Sequence, residues 1–160
     1  MIRGMILTRH AAAVEQWRPL VDYYRAIVCS ATSTDYWLQL MWSESQGDTH
    51  AVNGDSGAAG LFQHLPTYWP GRRASTVRWL SERGVRRRWM RRGSKGPHVG
   101  EANIAVAMWL YLVQGFGAWS GSRRFPPEAY GPDVWWHDRG YVRVRVSGPP
   151  QRWQAPGTFG

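Results

Sequence analysis

The run Trp37-Leu-Gln-Leu-Met-Trp-Ser-Glu-Ser-Gln-Gly47 places a single carboxylate, Glu44, at the end of an apolar helical pattern. A carboxylate in the last turn of a helix faces the negative end of the helix dipole. Met41 and Trp42 give it an apolar setting. Both effects disfavour ionisation, and a carboxyl group that keeps its proton near neutral pH is a general acid. The chemistry such a group suits is protonation of an oxygen that bridges two sugars. Downstream, Gly57-Ala-Ala-Gly-Leu-Phe-Gln63 begins with four residues without bulk. Backbone built from Gly and Ala approaches a polymer closely. Gln63 donates and accepts at once, which matches a sugar amide or hydroxyl.

Each of these residues has an ordinary alternative. Glu44 is also what a surface helix end paired with an arginine looks like. Gly57–Gly60 reads equally as a plain turn, and Gln63 as a surface amide. Ser45 beside the acid offers a hydroxyl to hold a carboxylate or nearby backbone. Asp48 and Asp55 are candidate second carboxylates, and both also suit turns. The order and spacing of the set carries more than any member.

The elements that position these groups are mostly helical. Val14, Trp17, Leu20, Val21, Tyr24 and Val28 form one apolar stripe, predicting a helix over 10–29 that Pro19 would kink. Thr34 or Asp35 is expected to cap a second helix over 35–45. Gly47 to Gly60 is rich in turn signals, and Leu61–Leu65 is a short apolar segment closed by Pro66. A basic helix is predicted over 74–92, interrupted at Gly84. Glu101–Val113 is apolar nearly all round and should be a central, buried helix. After Gly121 prolines and glycines break helices. Tyr141–Val146 alternates with period two and predicts one short strand, and the last dozen residues an extended arm.

The chain has 160 residues, of which 43% are apolar and 11 are Trp, so it can build a real core. The net charge is +9, carried almost wholly by arginine, with Lys95 the single lysine. A solvated basic surface and attraction to a polyanion (nucleic acid, anionic lipid or a bacterial wall) both fit this charge. Arg86-Arg-Arg88 with Arg91-Arg92 is its densest patch, and contact with an anionic wall would weaken with salt. The lone Cys29 precludes an intrachain disulfide. The five histidines are scattered, so no metal and no cofactor is expected. No stretch approaches a membrane span. Residues 1–10 lack the apolar core of a signal peptide.

Glu44-Ser45, then Ala51-Val-Asn53, then Gly57-Ala-Ala-Gly-Leu-Phe-Gln63 with Pro66, resemble the signature of soluble lytic transglycosylases and goose-type lysozymes. Glu101-Ala-Asn103-Ile104 with its helix, then Gly117-Ala-Trp119, resembles that family's next motif. The wording Gly60-Leu-Phe-Gln-His-Leu-Pro-Thr-Tyr-Trp-Pro70 is similar to phage and actinobacterial wall-lytic enzymes. The resemblance covers roughly residues 35–120.

It implies a mainly α, lysozyme-like single domain over 1–120 with a substrate cleft. Residues 121–160 would be a short irregular and β C-terminal appendage. It implies a peptidoglycan glycosidase, muramidase or lytic transglycosylase, that cleaves the β-1,4 bond between N-acetylmuramic acid and N-acetylglucosamine. By motif position Glu44 is the catalytic acid/base, with Asp55, before the Gly-rich turn, as the water-orienting partner in a hydrolase. Ser45, Asn53, Gln63, Trp69, Tyr111 and Trp119 are the expected substrate-side residues, Tyr111 or Trp119 replacing a tyrosine of the family's Ala-Tyr-Asn-Ala-Gly segment. Asn103 falls where the family's residue is architectural. The expected partner is peptidoglycan, reached through lysis or as a virion component in the manner of an endolysin. The rival readings are an Arg/Trp-rich nucleic-acid-binding module, for which no motif is visible, and a structural virion protein with a vestigial lytic site.

Overall fold

Ser33 starts the helix that carries Glu44. Its extended backbone and its Oγ, which accepts from the Tyr36 amide at 3.2 Å, cap a helix over Thr34–Ser45. The expected caps have other work. Thr34 donates to Asp22, and Asp35 takes a 2.6 Å ion pair from Arg18, which also holds Glu15. These bonds tie the start of this helix to the preceding one.

A computed structural model describes residues 12–30, 32–91, 93, 95–119, 134–137 and 140–143. In chain order the helices are α1 (Arg18–Ile27), α2 (Thr34–Ser45), α3 (Trp69–Glu82) and α4 (Gly100–Gln114). Single 3₁₀ turns cover Arg88–Met90 and Gly115–Ala118. Strands β1 (Val134–His137) and β2 (Gly140–Arg143) form an antiparallel hairpin with Val134 opposite Arg143. The hairpin lies against α2. The protein is mainly helical. Among the described residues no helix is long and apolar enough to cross a membrane.

Three expectations change. The stripe over 10–29 is not one kinked helix. A short helical turn at 12–15 ends at Gln16, and α1 then begins with Pro19 in its first turn. Proline's missing N–H costs nothing there, because first-turn amides have no helical partner. The basic helix starts at Trp69, with Pro70 in the same first-turn role, and stops at Glu82. Beyond it, Gly84 adopts φ +76°, and the rest of the predicted span is loop and 3₁₀ turn, with Arg92 outside the described residues. The single strand over 141–146 becomes a hairpin whose second strand starts at Gly140. Residues 144–146 and the arm that follows lie outside the described residues, as does the N-terminal segment.

The core gathers around α4. Ala102 through Met108 are all buried, with Leu110. Trp37 of α2 is fully enclosed and meets Phe62, Tyr111 and Trp119 edge-to-face at centroid distances of 5.9, 5.4 and 6.0 Å. Such pairs add about 0.5–1.5 kcal/mol each beyond the area they bury. A polar knot joins α1 to α4. Tyr24 Oη accepts from Trp89 Nε1 at 2.7 Å and donates to Glu101 at 2.8 Å, while Arg87 pairs with Glu101 at 2.6 Å.

Candidate active site

Glu44 occupies the last turn of α2 and is half-buried. Seven residues along a helix are nearly two full turns, so Trp37 and Glu44 share one face. That face meets the Gly-rich loop, because Trp37 packs on Phe62. α2 stops at Gln46, whose left-handed backbone (φ 56°) turns the chain sharply and whose amide returns to Trp42. Two tight turns follow, with the Asp48 amide donating to Ser45 O at 3.1 Å and the Ala51 amide to Asp48 O at 3.2 Å. Ala51 is therefore brought back close to the helix end.

From Ala51 the chain folds into a small bridged loop. Val52 pairs with Ala59, and Ala59 with His64. The Gly60 amide donates to Ala51 O at 2.9 Å, and Gln63 Nε2 donates to both Ala51 O (3.1 Å) and Gly60 O (3.0 Å). Gln63 holds a left-handed backbone, φ 53°, which costs a non-glycine residue about 1–2 kcal/mol. Its two side-chain bonds offset that cost. They also use its amide nitrogen, so Oε1 is the end left to face a ligand.

Asn103 locks this loop to α4. It is fully buried. Its Oδ1 accepts from the Phe62 amide at 2.8 Å, and its Nδ2 donates to Pro97 O at 2.7 Å and Ala59 O at 3.3 Å. Its backbone carbonyl faces His64 Nε2 at 3.1 Å, so the imidazole carries its hydrogen on Nε2. Burial lowers the His64 imidazole to about 4. Gly60 sits against the same amide. A Cβ there would lie 2.1 Å from Asn103 Nδ2 and 2.3 Å from Pro97 O, and its φ is +83°.

The remaining site residues divide by burial. Ser45 is buried and turned inward, its Oγ donating to Met41 O and accepting from the Gly47 amide, both at 3.2 Å. Its hydroxyl braces the helix end rather than the neighbouring carboxylate. Asn53 is exposed, and its Oδ1 accepts from the amides of Asp55 (2.9 Å) and Ser56 (3.0 Å). Asn53 thus forms the turn at whose tip Asp55 stands exposed. Asp48 is the turn-forming aspartate of the two, its Oδ1 accepting from the His50 amide at 2.8 Å. Tyr111 is half-buried and lies in the Trp37 cluster.

Trp69 and Trp119, expected on the substrate side, are core residues at 5% and 4% exposure. Trp69 Nε1 donates to Lys95 O at 2.6 Å and its ring packs on His64. Trp119 Nε1 donates to Phe62 O at 2.9 Å, clasping the loop from behind. Neither offers a sugar a ring face, and the exposed aromatic beside them is Tyr68, at 55%.

Compared with family models, curated proteins and solved structures, the chain matches none. The geometry therefore stands by itself. Among the described residues no cluster of three histidine, cysteine or acidic side chains is placed to hold a metal. An open groove of ≈ 660 Å³ lies between the start of α3 and the end of α4. Thr67, Tyr68, Arg72 and Ser75 line one side and Trp109 and Gln114 the other. The Arg72 guanidinium stacks 5.0 Å from the Tyr68 ring centroid. Sequence reasoning passed over Tyr68 and Arg72 as ligand-facing residues. For Tyr68 the signal was its place just before the helix, off the face that buries Trp69, Thr76 and Leu80; Arg72, three residues after Trp69 and four before Thr76, falls at the edge of that face and is half-buried.

Proposed function

We propose that the protein is a peptidoglycan glycosidase with Glu44 as its proton donor. One observation carries the reading: the α2 face that bears Glu44 is the face packed on the Gly57–Gln63 loop, through Trp37 and Phe62. The motif resemblance to lytic transglycosylases and goose-type lysozymes needs that juxtaposition of acid and loop. In this reading the arrangement is lysozyme-like, with the helix-end acid on one side of a cleft and the loop as its wall.

In this mechanism Glu44 protonates the oxygen that links N-acetylmuramic acid to N-acetylglucosamine as the C–O bond breaks. Gln63 Oε1 accepts a hydrogen bond from the sugar beside that bond. Two completions are open to the same acid. A second carboxylate can orient water, and exposed Asp55 is the one free of turn-forming work. Alternatively the muramic acid's own hydroxyl closes an anhydro ring, returning its proton to Glu44, as in substrate-assisted glycosidases.

Turbidity loss of purified walls tests the proposal. Glu44→Gln removes the proton source with almost no change of volume, so clearing should fall by a factor of a hundred or more, the scale of general acid catalysis. Clearing at the parent rate would overturn it.

A further inference from the structure

Ten of the twenty basic residues and one of the eleven acidic ones lie within 72–95, so this stretch alone accounts for the net charge of +9. The remainder of the chain is balanced. The structure sorts these arginines into two sets. Arg73 and Arg87 are half-buried and serve the protein, Arg73 donating to Trp89 O at 2.8 Å and Arg87 pairing with Glu101, while half-buried Arg72 belongs to the groove wall. Arg78, Arg83, Arg86, Arg88 and Arg91 are exposed. Among the described residues none of these five pairs with a carboxylate. Arg83 and Arg86 donate only to backbone carbonyls of their own segment. They follow one another along the chain from α3 through the 3₁₀ turn, an exposed basic run called the ridge below.

We infer that this ridge is a docking surface for a phosphodiester polymer carried by the bacterial wall, separate from the cleft. This deepens the glycosidase reading and rests on it for the choice of a wall polymer. Four features favour that occupant. The ridge is arginine, whose planar fork matches phosphate oxygens in pairs. Among the described residues its charge meets no carboxylate. Its aromatic neighbours each already carry an arginine over the ring, which speaks against single-stranded nucleic acid: the Arg83 guanidinium stands 3.8 Å from the Trp79 ring centroid, Arg73 stands over buried Trp89, and Arg87 over Tyr23. Base recognition on single strands needs free ring faces. Val77 and Val85 of the same stretch pack onto the core, so the ridge presents charge without an apolar strip to enter a lipid surface.

The test separates docking from cleavage by using the full chain with Glu44→Gln. Sedimentation with purified walls that keep their phosphate polymer should retain it at low salt. Retention should drop at least about tenfold when the polymer is stripped by acid, and similarly between about 50 and 200 mM salt. Adding Arg78→Gln, Arg83→Gln, Arg86→Gln, Arg88→Gln and Arg91→Gln should cause the same loss with an unchanged melting curve. If that set does not fold, Arg86→Gln with Arg88→Gln alone should lose part of the retention. Equal retention on stripped walls would overturn the proposal. So would retention unchanged by the substitutions, or competition by duplex DNA or anionic vesicles as strong as by soluble wall polymer at equal charge. Release of muropeptides from stripped walls by the chain with Glu44 intact reads the glycosidase proposal independently. Polymer-dependent retention without any release would sink that proposal and leave the docking surface standing.

Discussion

The Phe62 amide donates to Asn103 Oδ1 at 2.8 Å, joining residues 41 apart in sequence. The side chain at 103 thereby sets the height of the loop above α4. Its amide is matched on both ends, with Pro97 O and Ala59 O taking the nitrogen. Burying an amide without partners costs about 1–3 kcal/mol for each group left orphaned. Asn103→Ala strands the Phe62 N–H and the Pro97 carbonyl together. Urea unfolding should show a loss of about 2–5 kcal/mol, with wall clearing reduced in the folded fraction because the loop loses its anchor.

Gly60 and Gly84 make a controlled pair. Both hold left-handed backbone, φ +83° and +76°, but a Cβ at 84 meets nothing within 4 Å. Gly84→Ala should cost only the conformational penalty, about 1–2 kcal/mol. Gly60→Ala adds a clash with Asn103 Nδ2 and Pro97 O and should cost at least about 2 kcal/mol more. Thermal melts of the two variants side by side measure the difference.

His64 gives the fold an acid sensitivity. The unfolded imidazole takes a proton near the ordinary 6.5, whereas burial lowers the folded one to about 4. Between these values the unfolded chain binds a proton that the native chain does not. Stability is fully present above pH 6.5 and falls as pH is lowered to about 4, by an amount on the order of 3 kcal/mol. His64→Gln keeps a donor for Asn103 O but does not titrate. Chemical unfolding at pH 7, 5.5 and 4 should show a flatter profile for this variant than for the parent.

Asp55 distinguishes the two chemical outcomes. If water is the acceptor, Asp55→Asn lowers clearing at least about tenfold and the parent's muropeptides end in a reducing sugar. If the sugar hydroxyl closes on itself, Asp55→Asn clears at nearly the parent rate. The products are then one water lighter by mass spectrometry.

Neighbours Tyr68 and Trp69 should behave oppositely. Trp69→Ala empties a core position and should destabilise by about 3–5 kcal/mol. Tyr68→Ala removes an exposed ring from the groove wall. It should leave the melting temperature within about 2 °C.

How much of this was legible beforehand depended on what set each element. α2 and α4 were read nearly to the residue, because their apolar content is continuous and local. The two prolines misled in opposite ways. By local pattern Pro19 reads as a kink inside a helix and Pro70 falls before the predicted start of one, yet both sit in first turns where the lost amide is harmless. The placement of Asn103 at an architectural position agrees with its buried bonds. The enclosure of Trp69 and Trp119 depends on contacts far apart in sequence. Lys95 O and Phe62 O are the acceptors that hold the two indoles, and no local pattern announces them. Asn53 and Asp48 show the same limit for turns: several Asn and Asp residues lay in the loop, and only coordinates assign which one folds it.

Gathering the surplus positive charge into one stretch of twenty-four residues has a kinetic consequence. A negative surface exerts a torque on such an asymmetric particle before any atom touches, within a range of about 10 Å at moderate salt. The protein would arrive arginine-first, so its orientation on landing is settled during diffusion and not by a search after contact.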